Sequence, residues 1–147
     1  MEYIYRSMAE ENGMPKLGSS ATTLGVRPGI DIDVDEAGMV HRPDFKNQMK
    51  NGTSASPSVA ALPDFALPPE FGGANRKTRI WRIRTHDLGP HLVAEQDGSS
   101  HISIGPARTT GFSDYVKAIQ DTAPDWELVT PDMDQNDDLQ RDVSEET

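Results

Sequence analysis

Four prolines, Pro57, Pro63, Pro68 and Pro69, stand so close together mid-chain that neither a long helix nor a central strand can pass through them. Each lacks a backbone N–H and fixes φ, which interrupts a helical ladder and leaves a gap in a strand ladder. With "NGTSASPS" before them and "LPDFALPPEFGGANRK" around them, residues 41–75 are expected to be an ordered, irregular connection. Such connections inside a domain are usually functional or disordered. Regular structure must therefore come in short pieces on either side.

Those pieces can be read from periodicity. "EYIYRSM" alternates as a first strand, Tyr3 and Tyr5 facing one way, Ile4 and Arg6 the other. Residues 10–29, rich in Gly and Ser, are expected to be a long loop. In "GIDIDVDEAGM", Ile30, Ile32 and Val34 alternate with Asp31, Asp33 and Asp35, predicting a strand with one acidic face. A calcium loop is excluded there, because its obligatory Gly and Glu positions hold Glu36 and Arg42. "TRIWRIRTHDL" predicts a strand, Leu88 to Ala94 leads into another, and a hairpin occupies 95–105. Within that hairpin His101 and Ser103 share one face, Ile102 and Ile104 the other. Phe112, Tyr115, Val116 and Ile119 have helical spacing, with Thr110 as the expected cap and Pro124 just past the end. Several short strands, one helix and much loop make a small α+β domain. At 147 residues and 35% hydrophobic content there is material for one modest core.

Charge sits at one end. Residues 121–147 hold ten acids and one base, a charge of −9, which leaves −1 of the total −10 for residues 1–120. We therefore expect a domain over 1–127 and an acidic, disordered, solubilising tail over 128–147. With no cysteine, disulfides and thiol chemistry are excluded. The N-terminus has no basic start followed by an apolar core, so no Sec-type signal is expected, and no apolar run approaches a membrane span. The Asn51-Gly52-Thr53 sequon carries little weight without such a signal.

Arg76, Lys77, Arg79, Arg82 and Arg84 form a basic run. Near-neutrality of residues 1–120 and the lack of a stacking surface argue against nucleic acid. A solvated strand face, contact with the acidic tail, or help in binding a phosphate-bearing ligand are the alternatives. Four histidines, His41, His86, His91 and His101, show no zinc spacing, so no metal site is expected. No Gly-x-Ser-x-Gly elbow, phosphate loop or Rossmann fingerprint occurs.

Taken in order, "YIYR", "NGTS" and "LGPHLVAEQDGSSHISIGPA" form a series. It resembles the ADP-ribosyltransferase-like toxins of the second type VI secretion exported effector family, which has bacterial and fungal members. The matching segments are Tyr5-Arg6, Gly52-Thr53-Ser54, Leu92 to Asp97, and His101 to Ala107, with a shorter interval here between Gln-Asp and His. The resemblance implies a compact split β-sheet that binds NAD, as substrate, in a cleft. It also implies a toxin delivered by a secretion apparatus into the cytoplasm of a recipient cell, an unknown target macromolecule there, and neutralisation by a cognate immunity protein.

Breaking the nicotinamide–ribose bond develops positive charge on the ribose, so a site must hold the dinucleotide bent and stabilise that charge. On the resemblance, Arg6 with Tyr5 would grip pyrophosphate or ribose through the planar guanidinium fork. Thr53 and Ser54 would order the site, and His101 would meet the ribose hydroxyls with Ser103 beside it. Gln96 and Asp97 would cap the turn or face the ribose. A late catalytic Glu is not clearly matched, although Glu95 adjoins the motif. Transfer of ADP-ribose, NAD hydrolysis, another toxic act, and a non-enzymatic binding module with a decayed site thus remain open. A third class, an antitoxin or adaptor whose acidic tail mimics nucleic acid, is motivated by the tail charge.

Overall fold

The computed structural model describes residues 2–43 and 50–133. Among the described residues, ten short strands, one complete α-helix, four 3-10 turns and a helical turn at 131–133 make up its regular structure. The strands are β1 (Tyr3–Met8), β2 (Glu10–Glu11), β3 (Met14–Pro15), β4 (Met39–Val40), β5 (Thr53–Ala55), β6 (Arg79–Arg84), β7 (Leu92–Gln96), β8 (Ile102–Pro106), β9 (Thr110–Gly111) and β10 (Glu127–Leu128). The helix, α1, spans Phe112–Asp121.

Two three-stranded antiparallel sheets form the frame, in the orders β1-β6-β10 and β5-β8-β7. They touch through one reciprocal pair, Tyr5 N to Ser56 O and Ser56 N to Tyr5 O, both at 2.8 Å. A ladder continued by one more pair would join Ser7 to Ser54. Instead, the Arg6 guanidinium donates to the Ser54 carbonyl oxygen at 2.5 Å. The sheets are linked at one edge and split by a side chain.

Alternation makes the first sheet two-sided. Ile4 and Met8 on β1 join Trp81 and Ile83 on β6 in the main core, while Tyr5 and Ile80 face a second cluster with Val59, Leu62 and Val129. The second sheet sends Ala55, Ile102 and Ile104 into the main core, where Tyr115 and Ile119 of α1 cover them. Fully burying such side chains contributes about 1.5–3 kcal/mol each.

Five expectations need correction. The irregular connection expected over 41–75 contains a strand, β5, which pairs with β8. The stretch Ile30–Val34 forms no strand: Asp31 accepts from Arg27 N at 2.8 Å and from its Nη2 at 2.9 Å, which curls the chain over Gly29 at φ 77°. Ile32 is buried and Val34 packs half-buried against the main core, while Ile30 is 61% exposed. Thr110 does not cap α1; it pairs with Val40 in β9, and Gly111 stands at the cap without a side-chain bond. Within 10–29 a small hairpin, β2-β3, interrupts the expected loop. Finally, the sheet runs past residue 127, since Leu128 pairs with Trp81 and Val129 N donates to Ile80 O at 2.9 Å. The remainder of the expected acidic tail, residues 134–147, lies outside the described residues.

The basic run is largely answered within the domain. Arg82 pairs with Glu127 at 2.5 Å and stacks 4.1 Å over the Tyr3 ring; Arg79 pairs with Glu10 and Arg84 with Glu2.

Candidate functional site

Ser54 occupies the middle of β5, so its side chain points away from Thr53 and Ala55, both buried on the core side. Register places Ser54 beside Ser103 and Ser103 beside Glu95, one row across β5-β8-β7 whose side chains share a face. Asp97 immediately follows β7 and His101 immediately precedes β8, and Asp97 N donates to His101 O at 3.1 Å to close the turn. That closure puts Asp97 and His101 on the same end of the Ser54–Ser103–Glu95 face.

The side chains there are chained together. His101 Nδ1 lies 2.5 Å from Asp97 Oδ1, and His101 Nε2 lies 2.9 Å from Ser54 Oγ. An ionised carboxylate only accepts, so Nδ1 carries the proton of the neutral ring. Nε2 then accepts, and the Ser54 hydroxyl donates to it. Ser103 Oγ donates to Asp97 Oδ2, which Asn51 Nδ2 also approaches at 3.5 Å. Exposure rises along the chain of contacts, from 12% for the Asp97 side chain to 44% for that of His101.

Burial opposes ionisation of Asp97, but bonds from Ser103 and His101 outweigh it and hold the carboxyl below its usual range. A carboxyl lowered in the folded state stabilises the fold above the unfolded value of about 4, and that contribution disappears as pH falls through the lowered folded value. Asp97→Asn should therefore reduce stability at pH 7 by about 1–2 kcal/mol and flatten the acid limb. Urea midpoints at pH 7 and pH 3 measure this; equal pH dependence in both proteins would contradict it.

Arg6 lies directly behind Ser54. It is buried, and it donates to Ser54 O at 2.5 Å, Thr23 O at 2.9 Å and Ala21 O at 3.5 Å. Its Nε has no partner among the described residues. Burial pulls this guanidinium down to about 10, against the attraction of Asp31, and it stays charged at neutral pH. The expected phosphate-gripping fork is thus occupied by backbone carbonyls, and Arg6 acts as the staple between the sheets.

Ser54, His101, Ser103 and Asp97 are brought together, and Arg6 meets them through the Ser54 backbone. Thr53 is not on this face: it is fully buried, with Oγ1 donating to Gly25 O at 2.7 Å and its N–H donating to Tyr115 Oη at 3.1 Å. Burial pushes the Tyr115 phenol up to about 12, so that hydroxyl stays protonated and donates to Ile104 O. Tyr5 packs in the second apolar cluster, and its backbone pairs with Ser56, two residues from Ser54. Gln96 caps its own turn, with Nε2 donating to Gly98 O at 3.0 Å. Glu95, noted in the sequence only as adjoining the motif, sits in the row with Ser54 and Ser103 and pairs with Arg42 at 3.1 Å. No local period marks it, because its place in the row depends on the register of β7 against β8.

Two cavities lie elsewhere. One of about 350 Å³ runs beside α1, lined by His91, Arg108 and Asp114, and one of about 510 Å³ lies by Arg76, Arg79 and Val129. Neither is lined by Ser54 or His101.

A family model described as the Tse2 ADP-ribosyltransferase toxin matches residues 4–126. The chain belongs to this toxin family. No curated protein and no solved structure matches it. The Tse2 match starts in β1, ends immediately before β10, and includes every residue of the polar face. Among the described residues, no helix is long and apolar enough to cross a membrane.

Proposed function

We propose that this chain is a toxin effector that binds NAD on the polar face of β5-β8-β7 and consumes it, transferring ADP-ribose to a macromolecule or hydrolysing the dinucleotide. The observation that carries this is the convergence of Ser54, Asp97, His101 and Glu95 on one face within the span matched by the toxin family. The split sheet would then be an ADP-ribosyltransferase fold.

Each group has a task in that chemistry. The electron pair of the C1′–N bond leaves with nicotinamide, and a carboxylate near C1′ favours the cation that develops. Glu95 supplies that carboxylate. Ser54 and His101 hold the ribose hydroxyls. Arg6, one layer beneath, contributes field without contact: a buried cation bonded only to carbonyls makes the face above it attractive to pyrophosphate. Delivery by a secretion apparatus, action in the cytoplasm of a recipient cell, and an immunity partner belong to the same proposal.

Nicotinamide release from NAD tests it. Wild type should release nicotinamide, Glu95→Gln and His101→Ala should do so about 10²–10³-fold more slowly, and NAD should raise the wild-type Tm because it binds only the folded state. Commitment of the Arg6 donors to backbone favours a second reading, a binding module without activity. A protein toxic on inducible expression that neither consumes NAD nor gains Tm from it would establish that module and end the first reading.

A further inference from the structure

We propose that Ser54 is an activated nucleophile, a modification site whose hydroxyl, aligned on His101 and Asp97, reacts with phosphoryl and activated acyl electrophiles. This goes beyond NAD chemistry and does not depend on it.

Hydroxyl, imidazole and carboxylate are in series at 2.9 and 2.5 Å, with Nε2 as acceptor. A general base so placed removes the hydroxyl proton as the oxygen attacks, and the carboxylate keeps the ring in the productive tautomer. The carboxylate is more restrained than turn closure requires. The Asp97 backbone N–H already closes the turn, yet the side-chain oxygens are held by His101, Ser103 and Asn51 from three points in the chain. Ser54 itself is held by its carbonyl oxygen on Arg6, whose charge lies within one peptide unit of the reacting atom. The half-exposed ring leaves a reagent access to the hydroxyl.

The same protein contains its own control. His41 contacts Thr109 Oγ1 and Asp35 Oδ2, each at 2.9 Å, but this trio is solvent-exposed. Asp35 there serves its loop, accepting from Ala37 N and Met39 N through its other oxygen. Thr109 should therefore be unreactive where Ser54 reacts. The absence of cysteine removes thiol competition for the reagent.

With an alkyl fluorophosphonate the step balances simply. The Ser54 Oγ–P bond forms as P–F breaks, fluoride leaves with the electron pair, and the hydroxyl proton passes to His101 Nε2 and on to solvent. The full chain is incubated with the reagent, without NAD, and adducts are mapped by peptide mass spectrometry. An adduct at Ser54 and none at Thr109 is expected. His101→Ala and Asp97→Asn should slow labelling by roughly 10³–10⁴-fold, and Asp97→Glu should restore part of it, which identifies Asp97 as a positioning residue. Labelling spread evenly over exposed hydroxyls, or unchanged without His101, would overturn the proposal. Should a variant not fold, the choice between Ser54 and Thr109 in the unaltered chain still decides. A Ser54 adduct in a protein that ignores NAD would leave this inference standing and remove only the NAD reading.

Discussion

Gly52→Ala is expected to unfold the protein or remove about 4 kcal/mol of its stability, a large share of the roughly 5–15 kcal/mol typical of a domain. Gly52 has φ 138°, and a Cβ there would lie 2.2 Å from Ile104 O, 2.7 Å from Ile104 C and 2.8 Å from Tyr115 Oη. None of these atoms can retreat. Ile104 is in the central strand of its sheet, paired on both sides with Thr53 and Ala94, and Tyr115 Oη is held by Ile104 O and Thr53 N. Backbone strain of about 1–3 kcal/mol and overpacking of about 1–3 kcal/mol act together. Urea denaturation measures the loss. An unshifted midpoint would mean that β5 does not approach Ile104 this closely, and the placement of Ser54 would go with it.

Arg6→Lys should be worse than Arg6→Met, although lysine keeps the charge. The guanidinium serves Ser54 O and Thr23 O from two nitrogens, and charged hydrogen bonds are worth about 1.5–3 kcal/mol each. One ammonium cannot span both carbonyls, and its charge is more strongly hydrated and costs more to bury. A loss of about 3–5 kcal/mol follows, or roughly 10 °C or more in Tm. Methionine orphans the same carbonyls but also removes a desolvated charge, whose displacement from 12.5 to about 10 corresponds to about 3 kcal/mol. The two terms largely offset, and Met should lie within about 2 kcal/mol of wild type. Thermal melts of the three proteins decide. Lysine matching wild type would show that the fork is not what joins the sheets.

Elements whose signal lies in neighbouring residues were legible from the chain alone. Short runs of β-formers over Tyr3–Met8 and Arg79–Arg84, buried on both faces, and the helical spacing Phe112–Ile119 lead directly to β1, β6 and α1, because each signal lies within neighbouring residues. The prolines excluded a long helix or a central strand through their own stretch for an equally local reason, and 3-10 turns occur there, but the irregular connection expected over 41–75 missed β5. Periodicity failed where a side chain redirected the backbone. Ile30–Val34 alternates as well as any strand here, but the Arg27–Asp31 contact curls it, and a pattern of apolar residues does not encode that contact.

For the polar face, sequence order and family likeness named Ser54, Asp97, His101 and Ser103, and strand parity placed His101 and Ser103 together. The chain itself thus settled which residue types were available, which short segments carry them, and that one small core holds them. Tertiary structure alone decided that Arg6 turns inward as a staple, that Thr53 is a buried anchor, and that Glu95 joins the row. It also aligned Ser54, His101 and Asp97 in series. Hydrogen bonds between residues 47 positions apart, as between Ser54 and His101, depend on how two strands meet, and no local period records that meeting.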